Sequence, residues 1–205
     1  AITCNRPGKF KPGSVGTPIG CCEIKINEPD DEGVGEIYVK GTNVMVGYYG
    51  EPEATAEAFD GEWFKTGDYG RLDEEGELYI TGRKKFLIIL PNGENIFPET
   101  VESNIMEHLA YAVETVAFEE KIISATGKET TIMSAAIYVN RDFLKGMSDE
   151  EIIAKTKADV ADSNKGQPSY RKVQNVYVSF NEFEKNSTRK VIRQKVIDTY
   201  TAQTV

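Results

Sequence analysis

The sequence predicts an α+β protein built in two parts, a β-rich, barrel-like subdomain over residues 1–82 and a small α+β domain over residues 83–205. Two observations predict this. Period-two alternation broken by glycine turns dominates the first stretch, which is the pattern of half-buried strands. After Gly82 the texture changes, and strands begin to alternate with capped, four-residue-periodic segments, the mark of a small mixed domain. A chain of 205 residues suffices for one large domain or two small ones. With 40% apolar and 28% charged residues it has an ordinary globular composition.

In the first part, Glu23-Ile24-Lys25-Ile26 and Glu36-Ile37-Tyr38-Val39-Lys40 alternate, with a turn from Gly33 to Gly35 between them. Pro52 to Phe59 reads as a short helix with proline at its start. Asp73-Glu74-Glu75-Gly76 is a turn before the strand Glu77-Leu78-Tyr79-Ile80. In the second part, Phe86 to Leu90 reads as a strand and Pro91-Asn92-Gly93 as a turn. A helix opening near Pro98 carries Val101, Ile105 and Leu109 on one stripe. Strands follow at Val113 to Phe118 and Met133 to Val139. Ser148-Asp149-Glu150-Glu151 is a capping box for a second helix reaching about Ala161. Val173 to Phe180 is a further strand, and Ser187 or Thr188 caps a last helix with Ile192, Val196 and Tyr200 on one face.

The net charge of −9 argues against a phosphate-backbone binder, so nucleic acid is not an expected partner. No apolar run approaches the roughly 20 residues of a membrane span. Peripheral membrane contact is left open. Cys4, Cys21 and Cys22 fit neither a disulfide framework nor a metal site, and His108 has no evident co-ligand. This cysteine usage suits a reducing cytoplasm. The opening Ala1-Ile2-Thr3-Cys4-Asn5, without Met, reads as part of a longer chain.

Chemistry concentrates near the end. In the expected last helix the first turn holds Arg189, Lys190 and Arg193, where the helix dipole disfavours cations. Cations placed there against local preference, beside unpaired backbone N–H groups, form an anion site, with Lys190 opposite the apolar stripe. Near the domain boundary, Thr66-Gly67-Asp68 puts a carboxylate on a glycine-loosened turn. Its two oxygens match the two hydroxyls of a ribose. Gly82-Arg83-Lys84-Lys85 follows, with Lys84 read as a plain surface residue.

Taken in order, these segments resemble the motifs of the adenylate-forming superfamily. Gly35 to Gly41 with Val44-Met45-Val46-Gly47-Tyr48 is similar to a core motif. Trp63-Phe64-Lys65-Thr66-Gly67-Asp68 resembles the ribose motif, and Gly82-Arg83-Lys84-Lys85 through Val101-Glu102 resembles the hinge and the glycine loop. Pro168-Ser169-Tyr170 and Glu184 to Arg193 are similar to the final lysine motif and its approach.

The resemblance implies an AMP-forming acyl-CoA synthetase, with residues 1–82 the tail of a larger nucleotide-binding domain and residues 83–205 a mobile domain. It implies that Asp68 and Arg83 hold the ribose of ATP or AMP, that Lys85 is the hinge and that Gly93 lines the coenzyme A channel. Lys190 becomes the adenylation lysine. Mg2+, coenzyme A and a small-molecule carboxylic acid complete the implied partners, with the metal ligand, phosphate loop and acid pocket expected upstream of Ala1, so that this piece alone is not expected to turn over. No metal ligand is assigned within the chain. Glu184, Asn186 and Arg189 stand where the family commonly has Pro, Thr and Gly, and Thr188-Arg189-Lys190 resembles the long-chain fatty acid type. Two alternatives stay open: an adenylation domain or aryl-acid ligase serving a carrier protein or another acceptor, and a non-catalytic nucleotide- or coenzyme A-binding module.

Overall fold

The computed structural model describes residues 1–90, 93–123, 127 and 129–202. Contacts divide the chain into two compact units, Ala1–Leu87 and the remainder from Ile88 onward. This division falls slightly later than Gly82-Arg83, because Arg83 still pairs with Asp68 and Lys84 is bonded to Glu36.

In the first unit β1 (Thr3–Cys4) and β2 (Thr17–Pro18) form a short ladder. The main element is a curled, half-barrel antiparallel sheet. It contains β3 (Cys22–Asn27) and β4 (Gly35–Gly41), followed after helix α1 (Pro52–Ala58) by β5 (Phe59–Asp60), β6 (Trp63–Leu72) and β7 (Leu78–Arg83). The order is β3-β4-β6-β5, with β7 also on β6. Alternation works as expected on one face: Ile24 lies opposite Val39 and Ile26 opposite Ile37, and Cys22, Leu72 and Leu78 complete that core. The Asp73 turn is held by its own carboxylate, which accepts from the backbone of Glu75 and Glu77.

One expectation changes here. Asp68 lies within strand β6 rather than on a turn. Glu36 pairs with Tyr69 while Tyr38 pairs with Lys65, so Thr66, Gly67 and Asp68 bulge opposite Ile37 alone. Gly67 takes φ +71°, and the Thr66 hydroxyl donates to the Ile37 carbonyl at 2.8 Å and accepts from the Asp68 N–H at 3.1 Å. The extra residues bend the strand, and side-chain bonding fills the broken ladder.

The second unit opens with a two-residue ladder, β8 (Ile88–Ile89) on β9 (Asn95–Ile96). The strand expected over Phe86 to Leu90 is therefore shorter, since Lys84–Phe86 is a 3-10 turn. Of the expected turn at Pro91-Asn92-Gly93, the first two residues lie outside the described ones. Helix α2 (Pro98–His108) starts on its proline and buries Val101 and Ile105, with Leu109 just beyond. Then come β10 (Ala112–Ile123), β11 (Glu129–Val139), α3 (Asp149–Ser163), β12 (Asn175–Ser179) and α4 (Arg193–Thr201). The Ser148–Glu151 capping box that opens α3 is complete.

The sheet order is β10-β11-β12, and β11 and β12 run parallel with α3 between them, since a parallel pair needs a crossover. Ala117, Met133, Ala135, Ile137 and Val139 form a core with the buried residues of α2 and α3. Val116, Phe118 and Ala136 face the other way and meet Phe183 and Val196. Both faces of this small sheet are thus covered.

The last helix starts later than expected. Residues 185–191 form a tight hairpin, with Lys185 bridging Val191, and α4 begins only at Arg193. Asn186 is the cause. Its side-chain oxygen accepts from the N–H of Thr188 at 3.0 Å and of Lys190 at 2.9 Å, and its backbone N–H donates to the Lys190 carbonyl at 2.9 Å. Asparagine offers the backbone a turn, and that turn outcompetes the Ser187 or Thr188 cap.

Candidate active site

Arg189 and Lys190 are therefore not helical residues, and the anion site expected from them at a helix mouth is not built that way. Arg189 occupies the left-handed region at φ +60°. There a β-carbon is disfavoured, so Arg189 holds a backbone conformation that glycine would adopt more easily.

Of the five cations in this segment, three are committed to carboxylates. Lys185 bonds Glu182 and Glu114, and Lys195 bonds Glu184. Arg193 donates to Glu102 at 2.6 Å and to the Ala117 carbonyl at 2.8 Å. Glu102 in turn accepts from the Ala117 N–H at 2.8 Å. Together the pair satisfies both backbone groups of Ala117 on β10, an edge strand of its sheet. Burial lifts the Glu102 carboxyl above the usual range, and the attraction of Arg193 opposes this only in part.

Lys190 differs. It is exposed, and its ammonium makes no hydrogen bond or ion pair among the described residues. Asn186 holds its backbone at both N–H and carbonyl. The result is a fixed base with an uncommitted cation, suited to meeting an external anion.

Asp68 and Arg83 are brought together in the first unit. They are register partners across β6 and β7, with Arg83 Nε 3.2 Å from Asp68 Oδ1. Both side chains remain partly exposed, at 31% and 49%, so the Asp68 carboxylate keeps acceptor capacity for hydroxyl donors. Lys85 is exposed on the 3-10 turn, its Nζ 4.7 Å from the Phe86 ring centre. Gly93 lies exposed in the second unit with φ +84° and donates its N–H to the Leu90 carbonyl at 2.9 Å. A β-carbon there would meet nothing within 4 Å, so conformation and not space calls for glycine. Tyr170 packs against the larger core. An open groove of about 770 Å3 lined by Cys22, Lys40, Met45 and Phe59 contains none of these residues.

Two residues carry more than the sequence reading gave them. Lys84 donates to Glu36 at 2.6 Å, and the Glu36 side chain is only 7% exposed. Glu102, a motif position in the sequence, accepts from Arg193 and from the Ala117 N–H. Both have partners far away in the chain, so no local signal announces them. Among the described residues no group of three or more His, Cys, Asp or Glu forms a metal site, and no helix is long and apolar enough to cross a membrane.

The family model for the AMP-binding enzyme C-terminal domain matches residues 86–204. The chain belongs to this family. Among relatives of this AMP-binding enzyme C-terminal domain, 2-succinylbenzoate–CoA ligase of Bacillus velezensis is 46% identical over 114 residues, covering 54% of this chain and 23% of the relative. Long-chain-fatty-acid–CoA ligase ACSBG2 of Xenopus laevis is 44% identical over 108 residues, covering 52% of this chain and 15% of the relative. The solved O-succinylbenzoate coenzyme A synthetase of Bacillus subtilis in complex with AMP superimposes with a TM-score of 0.72 at 31% identity, covering 95% of this chain and 38% of that one. The chain thus spans well under half the length of the relatives it matches.

Proposed function

We propose that the chain is part of an AMP-forming acid–CoA ligase, which activates a carboxylic acid as its acyl-adenylate and passes the acyl group to coenzyme A. The observation that carries this reading is the uncommitted ammonium of Lys190, standing on a fixed hairpin among cations that are all but one ion-paired. In the first step a carboxylate oxygen bonds to the α-phosphorus of ATP and pyrophosphate leaves. In the second the coenzyme A thiol displaces AMP from the acyl carbon. Lys190 offsets the negative charge that gathers on the carboxylate and the α-phosphate.

Asp68, steadied by Arg83, takes the ribose hydroxyls. Lys85 serves as the pivot ahead of the second unit, and Gly93 lines the path of the thiol.

The acid is a finer question. Similarity to 2-succinylbenzoate–CoA ligases supports a succinylbenzoate-like acid, while Thr188-Arg189-Lys190 and similarity to long-chain-fatty-acid–CoA ligases support a fatty acid. The fatty acid type remains our reading of the motif. Free thiols at Cys4, Cys21 and Cys22 suit a cytoplasmic enzyme.

Lys190→Ala in the parent enzyme is expected to abolish acid-dependent exchange of pyrophosphate into ATP. Thioester formation from supplied acyl-adenylate should largely survive. Equal loss of both half-reactions overturns the role of Lys190, and parallel assays with a long-chain fatty acid and 2-succinylbenzoate decide the acid.

A further inference from the structure

The first unit buries two carboxylates, that of Glu77, which accepts from the Ser14 hydroxyl, and that of Glu36. Glu36 lies on β4, a strand whose residues Gly35 to Val39 are all buried. A buried carboxylate is costly unless a cation and hydrogen bonds meet it. Its partner does not come from a neighbouring strand. Lys84 Nζ donates to Glu36 Oε2 at 2.6 Å from the start of the 3-10 turn Lys84–Phe86. That turn leads directly into the junction, since the first unit ends at Leu87. The Leu87 N–H donates back to the Lys84 carbonyl at 3.2 Å, closing the turn. The hydrogen bond to Glu36 also holds the Lys84 ammonium above its ordinary range, against the effect of its own partial burial.

We propose that Lys84 is a positioning residue: through Glu36 it clamps the entrance of the inter-unit connection to β4, so that changes of backbone angle are confined to Lys85, Phe86 and Leu87. The geometry separates two adjacent lysines of identical chemistry. Both side chains are exposed, but the Lys84 ammonium is bonded to a buried carboxylate while that of Lys85 lies over the Phe86 ring. The proposal draws on the ligase reading only for the use made of such a pivot.

Hydrogen exchange and trypsin digestion of this chain test it. In Lys84→Met, the Leu87 amide should exchange roughly tenfold faster and cleavage after Lys85 should rise by a similar factor. Since this variant strands the Glu36 charge, Glu36→Gln with Lys84→Met is the decisive one. It should keep the exchange of Val39 and Leu78 at wild-type rates while the Leu87 amide stays fast. Lys84→Arg should restore slow exchange. Leu87 exchange within about twofold of wild type in the double variant overturns the clamp. So does acceleration shared equally by Val39 and Leu78, which would make the pair a sheet stabiliser alone. A parent enzyme that failed to adenylate would leave these rates untouched, so the two readings fail separately.

Discussion

Arg193→Ala is the perturbation whose size follows most directly from the structure. The substitution removes the donor to Glu102 at 2.6 Å and the donor to the Ala117 carbonyl at 2.8 Å. Among the described residues Glu102 is left with the Ala117 N–H as its hydrogen-bond donor, and the Ala117 carbonyl loses the Arg193 donor. Stripping one member from a buried ion pair costs about 3–5 kcal/mol. Each side chain is 15% exposed, so water reaches the site to some degree and the lower end, about 3 kcal/mol, is expected.

With two compact units, one global unfolding energy is poorly defined, and amide exchange on β10 and β11 is the appropriate assay. The expected change is roughly a hundredfold acceleration there, with Val39 of the first unit unaffected. Arg193→Met combined with Glu102→Met should recover only part of the loss, because both charges are gone while the Ala117 N–H and carbonyl lose these partners.

The pH dependence has a definite sign. The folded Glu102 carboxyl lies above its unfolded value because burial outweighs Arg193. Its contribution to stability is complete below the ordinary glutamate range, near pH 4, and is lost as pH rises through the folded value. The deficit of Arg193→Ala should therefore shrink on acidification, as the stranded carboxylate takes up a proton. An acceleration below about tenfold, or a deficit that grows toward acid, refutes the reasoning.

Two substitutions probe the hairpin. Arg189→Gly relieves a left-handed residue at φ +60° and should stabilise the hairpin by up to about 1 kcal/mol, read as slower exchange at the Lys190 and Ile192 amides. Asn186→Ala removes the acceptor of the Thr188 and Lys190 N–H groups. It should speed exchange at both amides and, in the parent enzyme, slow adenylation more than thioester formation.

Where neighbours in sequence are neighbours in space, the sequence was legible. The stripe of Val101, Ile105 and Leu109 is buried, the Ser148 capping box forms, and the alternating strands around Ile24 and Ile37 pair in register. Legibility failed where two local rules competed. Ser187 and Thr188 are good helix caps, yet Asn186 next to them is a better turn former, and nothing in the segment alone ranks the two. The bulge at Thr66 to Asp68 was legible as a glycine irregularity but not as part of a strand. Long-range charge pairing was not legible at all. Lys84 reads as surface until Glu36 is found beneath it, and Arg193 reads as a phosphate ligand until Glu102 claims it.

These pairings change what a basic cluster means. Five cations within 11 residues, from Lys185 to Lys195, look like a diffuse anion-binding face, and a diffuse face has little power to favour one charge distribution over another. The structure distributes them unevenly. Carboxylates neutralise Lys185, Arg193 and Lys195, and in doing so tie the hairpin to Glu114 and α4 to α2. Among the described residues Arg189 and Lys190 remain without an ion pair, and the Lys190 backbone is held on the arm of the hairpin by Asn186. Electrostatic catalysis depends on charge already placed where it is needed, because reorganisation during the reaction cancels the gain. If Lys190 has the role proposed above, the paired cations matter by being unavailable: with three of the five bound to carboxylates, Lys190 and its neighbour Arg189 are the positive groups an incoming phosphate would meet.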